Sequence, residues 1–132
     1  MQFTVRDWMV DLVVYIDPDA TVLHALELMR RRYIHSLMVN KTDKNPEYGI
    51  ITSTDISDNI IAHDHKPSQV KVRDVMTSPI ITIPADWSLK KCAAKMKEHQ
   101  IHHLPVINQA GDVIGMISDT DFLAAAEAME HM

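Results

Sequence analysis

The chain has 132 residues, of which 46% are hydrophobic and 23% charged, and its formal net charge is −5. This composition is typical of one compact folded module and excludes disordered and fibrous proteins. The acidic balance argues against a nucleic-acid partner, and the apolar runs are too short to span a bilayer. A lone cysteine, Cys92, excludes an internal disulfide, and the N-terminus lacks the layout of a signal peptide. We therefore expect a cytoplasmic protein without a membrane partner.

The first half of the chain predicts the order strand, helix, strand, strand, helix. Residues 13–16 are a short β-branched run and predict the first strand. Thr21 is well placed as a helix N-cap. The apolar residues behind it fall on one helical stripe and are Val22, Ala25, Leu26 and Met29. Residues 36–40 and 49–52 predict two further strands, separated by a turn-rich loop, and a second helix begins near Thr54.

The second half predicts the same elements in the same order. Residues 80–83 predict a strand, and Ser88 is the expected helix N-cap. The stripe behind this cap consists of Leu89, Cys92, Ala93 and Met96. Residues 103–107 and 113–118 predict strands, and a helix begins near Thr120. Because Cys92 lies on the apolar stripe, we expect it to pack in the core rather than act as a nucleophile.

Two segments recur almost unchanged. Val5-Arg6-Asp7-Trp8-Met9 returns 67 residues later as Val72-Arg73-Asp74-Val75-Met76. Gly49-Ile50-Ile51-Thr52-Ser53-Thr54-Asp55 returns as Gly115-Met116-Ile117-Ser118-Asp119-Thr120-Asp121. The order of these matches identifies an internal duplication.

A repeat of about 65 residues buries little apolar surface by itself, so two copies are expected to share a core. We assign residues 1–65 to the first repeat and residues 66–132 to the second, in one inseparable module. The polar stretch 63–69 links them. Two such repeats would be related by a pseudo-twofold axis, with a cleft between them.

The duplicated layout resembles a pair of cystathionine-β-synthase (CBS) domains, an arrangement called a Bateman module. The resemblance covers nearly the whole chain and is carried by the two Val-Arg-Asp-x-Met openings and the two Gly-apolar-apolar-Thr/Ser-x-x-Asp segments. The segment His102-His103-Leu104-Pro105-Val106 adds to it. The resemblance implies an α+β fold of two β-α-β-β-α repeats. It also implies a regulatory module that binds an adenosine-containing ligand in the cleft, and a homodimer.

The residues of the recurring segments suit such a ligand. A carboxylate at the start of a helix accepts hydrogen bonds from both ribose hydroxyls, a role we assign to Asp55 and Asp121. Hydroxyl groups beside free helix amides favour a phosphate. The hydroxyl-bearing candidates are Thr52, Thr54, Ser118 and Thr120. The apolar candidates for the adenine slot are Ile50, Ile80 and Met116. In the family, the position of His102 often reaches phosphate, and we add His103 and the first-repeat counterpart His35 as ligand-binding candidates.

A purely structural alternative stays open for these residues. Thr54 and Thr120 could be helix N-caps, and Asp55 and Asp121 could interact only with the helix dipole. The second repeat is the closer match to the family, since Leu12 and Met38 of the first repeat stand where the second has proline. The Asp121 site is therefore the stronger candidate.

Three functions are compatible with the sequence. The first is a sensor in which AMP is favoured over ADP, ATP or S-adenosylmethionine, because Asp119 would repel further phosphates. The second is a protein-interaction module with vestigial ligand sites. The third, a small hydrolase or metal enzyme, is disfavoured because the sequence has no nucleophile elbow, no paired acid–base constellation and no dense cluster of metal ligands. We expect no catalytic residue, no metal site and no cofactor, with Mg²⁺ only alongside ATP, and a regulated protein reached in trans.

Overall fold

The computed structural model describes residues 3–132, and within them the fold is α+β with two three-stranded sheets. The chain divides into two compact units. One unit is Val14–Ile80, and the other combines the residues up to Val13 with Ile81–Met132. Among residues 3–132, no helix has both the length and the apolar character that crossing a membrane requires.

In the unit Val14–Ile80, β1 (Tyr15–Ile16) pairs parallel with β2 (Ser36–Val39), and β2 pairs antiparallel with β3 (Gly49–Thr52). The helix between β1 and β2 is α2 (Val22–Arg32). Helix α2 covers the sheet with Val22, Ala25 and Met29, which are buried in the core beside Ile51. The elements are β1 (Tyr15–Ile16), α2 (Val22–Arg32), β2 (Ser36–Val39), β3 (Gly49–Thr52), α3 (Ser53–Ile56), a π-helical stretch (Ser57–Ile61) and 3₁₀ turns at Pro67–Gln69 and Val72–Asp74. This is the strand, helix, strand, strand, helix order that the sequence predicts.

The other unit repeats the arrangement. Strand β4 (Ile83–Pro84) pairs parallel with β5 (His103–Ile107), and β5 pairs antiparallel with β6 (Val113–Ser118). Its elements are α1 (Val5–Trp8), β4 (Ile83–Pro84), α4 (Leu89–His99), β5 (His103–Ile107), β6 (Val113–Ser118) and α5 (Asp119–Met129). Cys92 and Met96 of α4 are buried against Leu104 and Ile117 of the sheet, as the apolar stripe predicts, whereas Ala93 is exposed.

The two predicted N-caps are confirmed. Thr21 and Ser88 each accept a hydrogen bond from the amide three residues later, at 3.1 Å in both cases. The first strand of each repeat is shorter and lies later than predicted, at Tyr15–Ile16 and Ile83–Pro84. Only these residues reach the central strand of their sheet, so a β-branched run alone overstates the strand.

Each compact unit contains the opening segment of the other sequence repeat. Val72 is fully buried in the first-repeat core and donates its amide hydrogen to Ala20 O at 2.9 Å. Val5 is fully buried in the second-repeat core and donates to Trp87 O at 2.8 Å. The recurring Val-Arg-Asp-x-Met segment therefore completes a core rather than opening one. The compact units divide near residues 13 and 80 and are therefore not the same as the two sequence repeats. The assignment of residues 1–65 and 66–132 to the repeats stays a prediction.

Candidate functional site

The junction of β3 and α3 is a capping box. Asp55 Oδ2 accepts the Thr52 amide hydrogen at 2.9 Å, and the Asp55 amide in turn donates to Thr52 Oγ1 at 3.4 Å. The Thr52 hydroxyl also lies 3.2 Å from the same carboxylate oxygen. Thr54 is exposed in the first turn and does not cap the helix. The alternative that made Thr54 the N-cap is therefore wrong, because Thr52 occupies that position.

The junction of β6 and α5 has the same construction. Asp121 Oδ2 accepts the Ser118 amide hydrogen at 2.8 Å, and Ser118 Oγ lies 3.3 Å from it. Ser118 Oγ also lies 2.7 Å from Thr120 Oγ1. Ser118 is the N-cap of α5, so Thr120 is not. Ser118, Thr120 and Asp121 are thus brought together at one helix start, and their role as ligand-binding residues stays a prediction.

The second oxygen of each carboxylate distinguishes the two junctions. Asp55 Oδ1 accepts a hydrogen bond from Thr77 Oγ1 at 3.2 Å. In the part of the chain that the structure describes, Asp121 Oδ1 accepts no hydrogen bond. Both aspartates are half-buried. Asp121 therefore presents a carboxylate oxygen that can accept hydrogen bonds from a ligand.

Burial raises the pKa of Asp55 above its ordinary value of 3.8. Hydrogen bonds from Thr52 and Thr77 lower this pKa and nearby Asp58 raises it, so desolvation outweighs the hydrogen bonds. Burial therefore disfavours the charged form of Asp55, and its hydrogen bonds partly offset that cost.

Backbone pairing places one further residue at each junction. Thr77 and Ile50 exchange two backbone hydrogen bonds, of 2.8 and 2.9 Å, and Val10 and Met116 exchange two of the same lengths. Ile50 and Met116, the proposed adenine-slot residues, are the inner members of these pairs and are themselves buried. Thr77 was missed in the sequence because it lies 22 residues from its partner Asp55.

Ile80 is half-buried and belongs to the unit that contains Ile50 and Asp55. It therefore lies in a different compact unit from Ser118, Thr120 and Asp121.

The space beside Gly49 and beside Gly115 is filled by other parts of the same chain. A Cβ at Gly49 would lie 2.6 Å from Met76 Sδ, and one at Gly115 would lie 2.8 Å from both Met9 Sδ and the Val10 carbonyl oxygen. The glycines of the recurring motif thus admit the methionine that ends the Val-Arg-Asp-x-Met segment. Close approach of a ligand is not needed to explain them.

The histidine candidates lie at the strand ends beside the helix starts. His102 Nδ1 is 3.0 Å from Asp119 Oδ2, and the Asp119 amide donates to the His102 carbonyl at 3.1 Å. His103 is half-buried and opposite Ser118 in the sheet. The counterpart His35 is exposed, and its carbonyl accepts from the Ser53 amide at 3.1 Å. His102 and Asp119, expected to act on a phosphate with opposite effect, therefore contact each other.

Residues 3–132 contain no group of three or more His, Cys, Asp or Glu side chains arranged to hold a metal ion. Cys92 is buried, and desolvation raises the pKa of its thiol to about 11. A thiol with that pKa is a poor nucleophile at neutral pH.

Apolar side chains remain exposed on the second helix of each repeat. Leu123 and Met129 of α5 are 72% and 59% exposed, and Ile61 is 70% exposed. Ile56 and Ile60, in the same part of the first repeat, are buried in the core of their own unit. Of the three isoleucines, only Ile61 is available to a partner.

A family model described as "CBS domain" matches residues 5–62 and 72–128. A curated relative, homoserine O-acetyltransferase of Methanosphaerula palustris, is 35% identical over 114 residues, which are 86% of this chain and 22% of that enzyme. The chain spans between about a fifth and about half of the first curated relatives that it matches.

Two solved structures have the same fold. The hexameric CBS-CP12 protein from bloom-forming cyanobacteria has a TM-score of 0.88 and 29% identity, over 97% of this chain and 73% of that one. The CBS domain pair of protein MJ0100, in complex with 5′-methylthioadenosine and S-adenosyl-L-methionine, has a TM-score of 0.81 and 22% identity, over 98% and 99%. The second likeness concerns the fold alone.

Proposed function

The chain belongs to the CBS domain family, whose paired domains are regulatory ligand-binding modules, and we propose that it senses an adenosine-containing ligand, with AMP preferred. The observation that carries this proposal is the Asp121 carboxylate. Its Oδ2 is held by Ser118, and its Oδ1 has no hydrogen-bond donor among residues 3–132. A carboxylate fixed at one oxygen and open at the other is suited to the vicinal hydroxyls of a ribose.

Hydroxyl groups and a helix start supply the complementary features for a phosphate. Thr120 is exposed beside Ser118 at the start of the 11-residue helix α5, where its hydroxyl can donate to a phosphate. The Ser118 and Asp119 amides are already bonded, to Asp121 Oδ2 and to the His102 carbonyl. Met116, two residues before Ser118, is the apolar residue that we propose beside the adenine, and it is 9% exposed.

The preference for AMP rests on charge. The chain has a net charge of −5, and Asp119 and Asp121 both lie in the first turn of α5. Each added phosphate would meet this negative background. His102 Nδ1 lies 3.0 Å from Asp119 Oδ2, so this carboxylate already has a partner within the chain. Mg²⁺ would be needed only to bring ATP to the same carboxylates.

The regulated protein stays a prediction. This chain matches only 22% of the length of the Methanosphaerula palustris enzyme. We therefore do not assign the activity of that enzyme to this chain. CBS pairs are generally regulatory rather than catalytic, and we propose that this one acts on another protein in trans.

A second copy of the chain is the partner that the exposed apolar residues favour. Leu123, Met129 and Ile61 are each more than half exposed, and a homodimer would bury them. Sedimentation of the wild-type chain at micromolar concentration is expected to show dimers. Leu123→Glu should shift the distribution toward monomers, whereas Glu127→Gln, on the same helix, should not; only monomers in the wild type would contradict the homodimer.

One alternative has an observation in its favour. Both capping boxes are complete within the chain, and Asp55 is also held by Thr77, as would be expected of vestigial sites in a protein-interaction module. Calorimetric titration with AMP, ADP, ATP and S-adenosylmethionine, with and without Mg²⁺, separates the two. AMP binding more tightly than ATP without metal supports the sensor, and no binding by any of the four supports the alternative.

A further inference from the structure

The two candidate ribose carboxylates differ in how much hydrogen-bonding capacity the protein itself has used. A carboxylate has roughly four acceptor positions. Asp55 accepts from the Thr52 amide, the Thr52 hydroxyl and the Thr77 hydroxyl. Among residues 3–132, Asp121 accepts only from the Ser118 amide and the Ser118 hydroxyl. Asp55 is therefore left with room for about one more donor, and Asp121 with room for about two.

The difference comes from a single pair of positions. Thr77 pairs through its backbone with Ile50, and Val10 pairs in the same way with Met116. Ile50 and Met116 occupy the same place in the recurring motif. Valine has the shape of threonine without the hydroxyl, so Val10 cannot donate to Asp121. The occupied oxygen of Asp55 is thus a consequence of threonine at this position.

We infer that Thr77 is the specificity-determining residue that makes the two carboxylates unequal, so that each chain binds one nucleoside ligand tightly, at Asp121, and disfavours a ribose at Asp55. A cis-diol presents two donors, and both can be accepted at Asp121. At Asp55 the ligand must displace the Thr77 hydroxyl or give up one of its own hydrogen bonds. This inference rests on the proposed function, because it assumes a ribose-containing ligand.

Displacement of the Thr77 hydroxyl from Asp55 by a ribose hydroxyl should change the ligand affinity by a measurable factor. The Thr77 hydroxyl donates to a carboxylate, but the contact is exposed and 3.2 Å long, so displacing it costs about as much as an ordinary hydrogen bond, roughly 0.5–1.5 kcal/mol. This corresponds to about twofold to tenfold in affinity. Thr77 is exposed, so replacing it does not open a core cavity. Thr77→Val removes the donor and retains the shape, Thr77→Ser retains the donor, and Val10→Thr introduces a donor beside Asp121.

The test is a titration of each variant with AMP, followed by two-dimensional amide NMR, because resonances near Asp55 and near Asp121 report the two positions separately. The wild type should saturate first near Asp121. Thr77→Val should tighten binding near Asp55 by about twofold to tenfold, Thr77→Ser should not change it, and Val10→Thr should weaken binding near Asp121. The same spectra confirm that each variant is folded.

The outcomes separate this inference from the proposed function. If no resonance responds to AMP, ADP, ATP or S-adenosylmethionine in any variant, the proposed function fails and the inference with it. If AMP binds but both positions fill together in the wild type, or neither Thr77→Val nor Val10→Thr changes the relative affinities, the role of Thr77 is wrong while the sensor function stands.

Discussion

The hydroxyl of Thr77 donates a hydrogen bond to Asp55 Oδ1 over 3.2 Å, and it joins two segments 22 residues apart in the chain. It is one of the interactions that lower the pKa of Asp55 against the larger effect of burial, which raises it. At the equivalent position beside Asp121 stands Val10, which has no hydroxyl.

Removing this donor should raise the pKa of Asp55 further. We expect the Asp55 carboxyl to titrate at higher pH in Thr77→Val than in the wild type. In Thr77→Ser, its titration should be unchanged. The ¹³C shift of the Asp55 carboxyl, followed through the acid range, measures this. An unchanged or lower pKa in Thr77→Val would mean that the hydroxyl does not stabilise the carboxylate.

The raised pKa of Asp55 also determines how the unfolding free energy depends on pH. The folded-state pKa of Asp55 lies above its ordinary value of 3.8, so between the two values the folded state binds more protons. The unfolding free energy contributed by this group therefore falls as pH rises through that window. Replacing Asp55 with Asn should remove this component, so the wild type should gain stability relative to Asp55→Asn as pH is lowered through the window. Urea unfolding of both proteins at several pH values checks this, and a relative loss would contradict the burial of the charge.

The two motif glycines should differ in their tolerance of a methyl group. At Gly115 the new Cβ would lie 2.8 Å from a backbone oxygen of Val10, whereas at Gly49 the nearest backbone oxygen is 3.3 Å away and the closest atom is Met76 Sδ at 2.6 Å. A methionine side chain can rotate away, but a paired backbone cannot. Gly115→Ala should therefore lose roughly 1–3 kcal/mol of unfolding free energy, and Gly49→Ala less, by urea unfolding. Equal losses would show that the backbone contact is not limiting.

Cys92 should be inert in the folded protein. Burial raises the pKa of its thiol to about 11 from 9.0, which lowers the thiolate fraction at pH 8 by about a hundredfold. A disulfide reagent should label Cys92 only on unfolding, with denatured protein as the positive control and Cys92→Ala as the blank. Rapid labelling of the native chain would contradict the buried position.

The sequence predicted much of this molecule because its signals are local. Thr21 and Ser88 each cap the helix that begins at the next residue, by accepting from the amide three residues ahead. The apolar stripes that follow them identify the buried faces of these helices. The spacing of Thr52 and Asp55 also marks a capping box, so placing the possible N-caps at Thr54 and Thr120 overlooked a signal that was available. The contact of Thr77 with Asp55 could not be predicted, because the strand pairing that creates it joins distant segments.

The most direct test of the sensor function is the AMP affinity of Asp121 variants by calorimetry. Asp121→Asn removes the charge but keeps an oxygen that can accept the Ser118 amide hydrogen, whereas Asp121→Ala removes both; Asp86→Asn, an exposed loop substitution, is the charge-matched control. Hydrogen bonds to a charged group contribute roughly 1.5–3 kcal/mol each, so both Asp121 variants should bind AMP at least about tenfold more weakly, with Asp86→Asn unchanged. Wild-type affinity in folded Asp121→Asn and Asp121→Ala would contradict the assignment of Asp121 to the ribose.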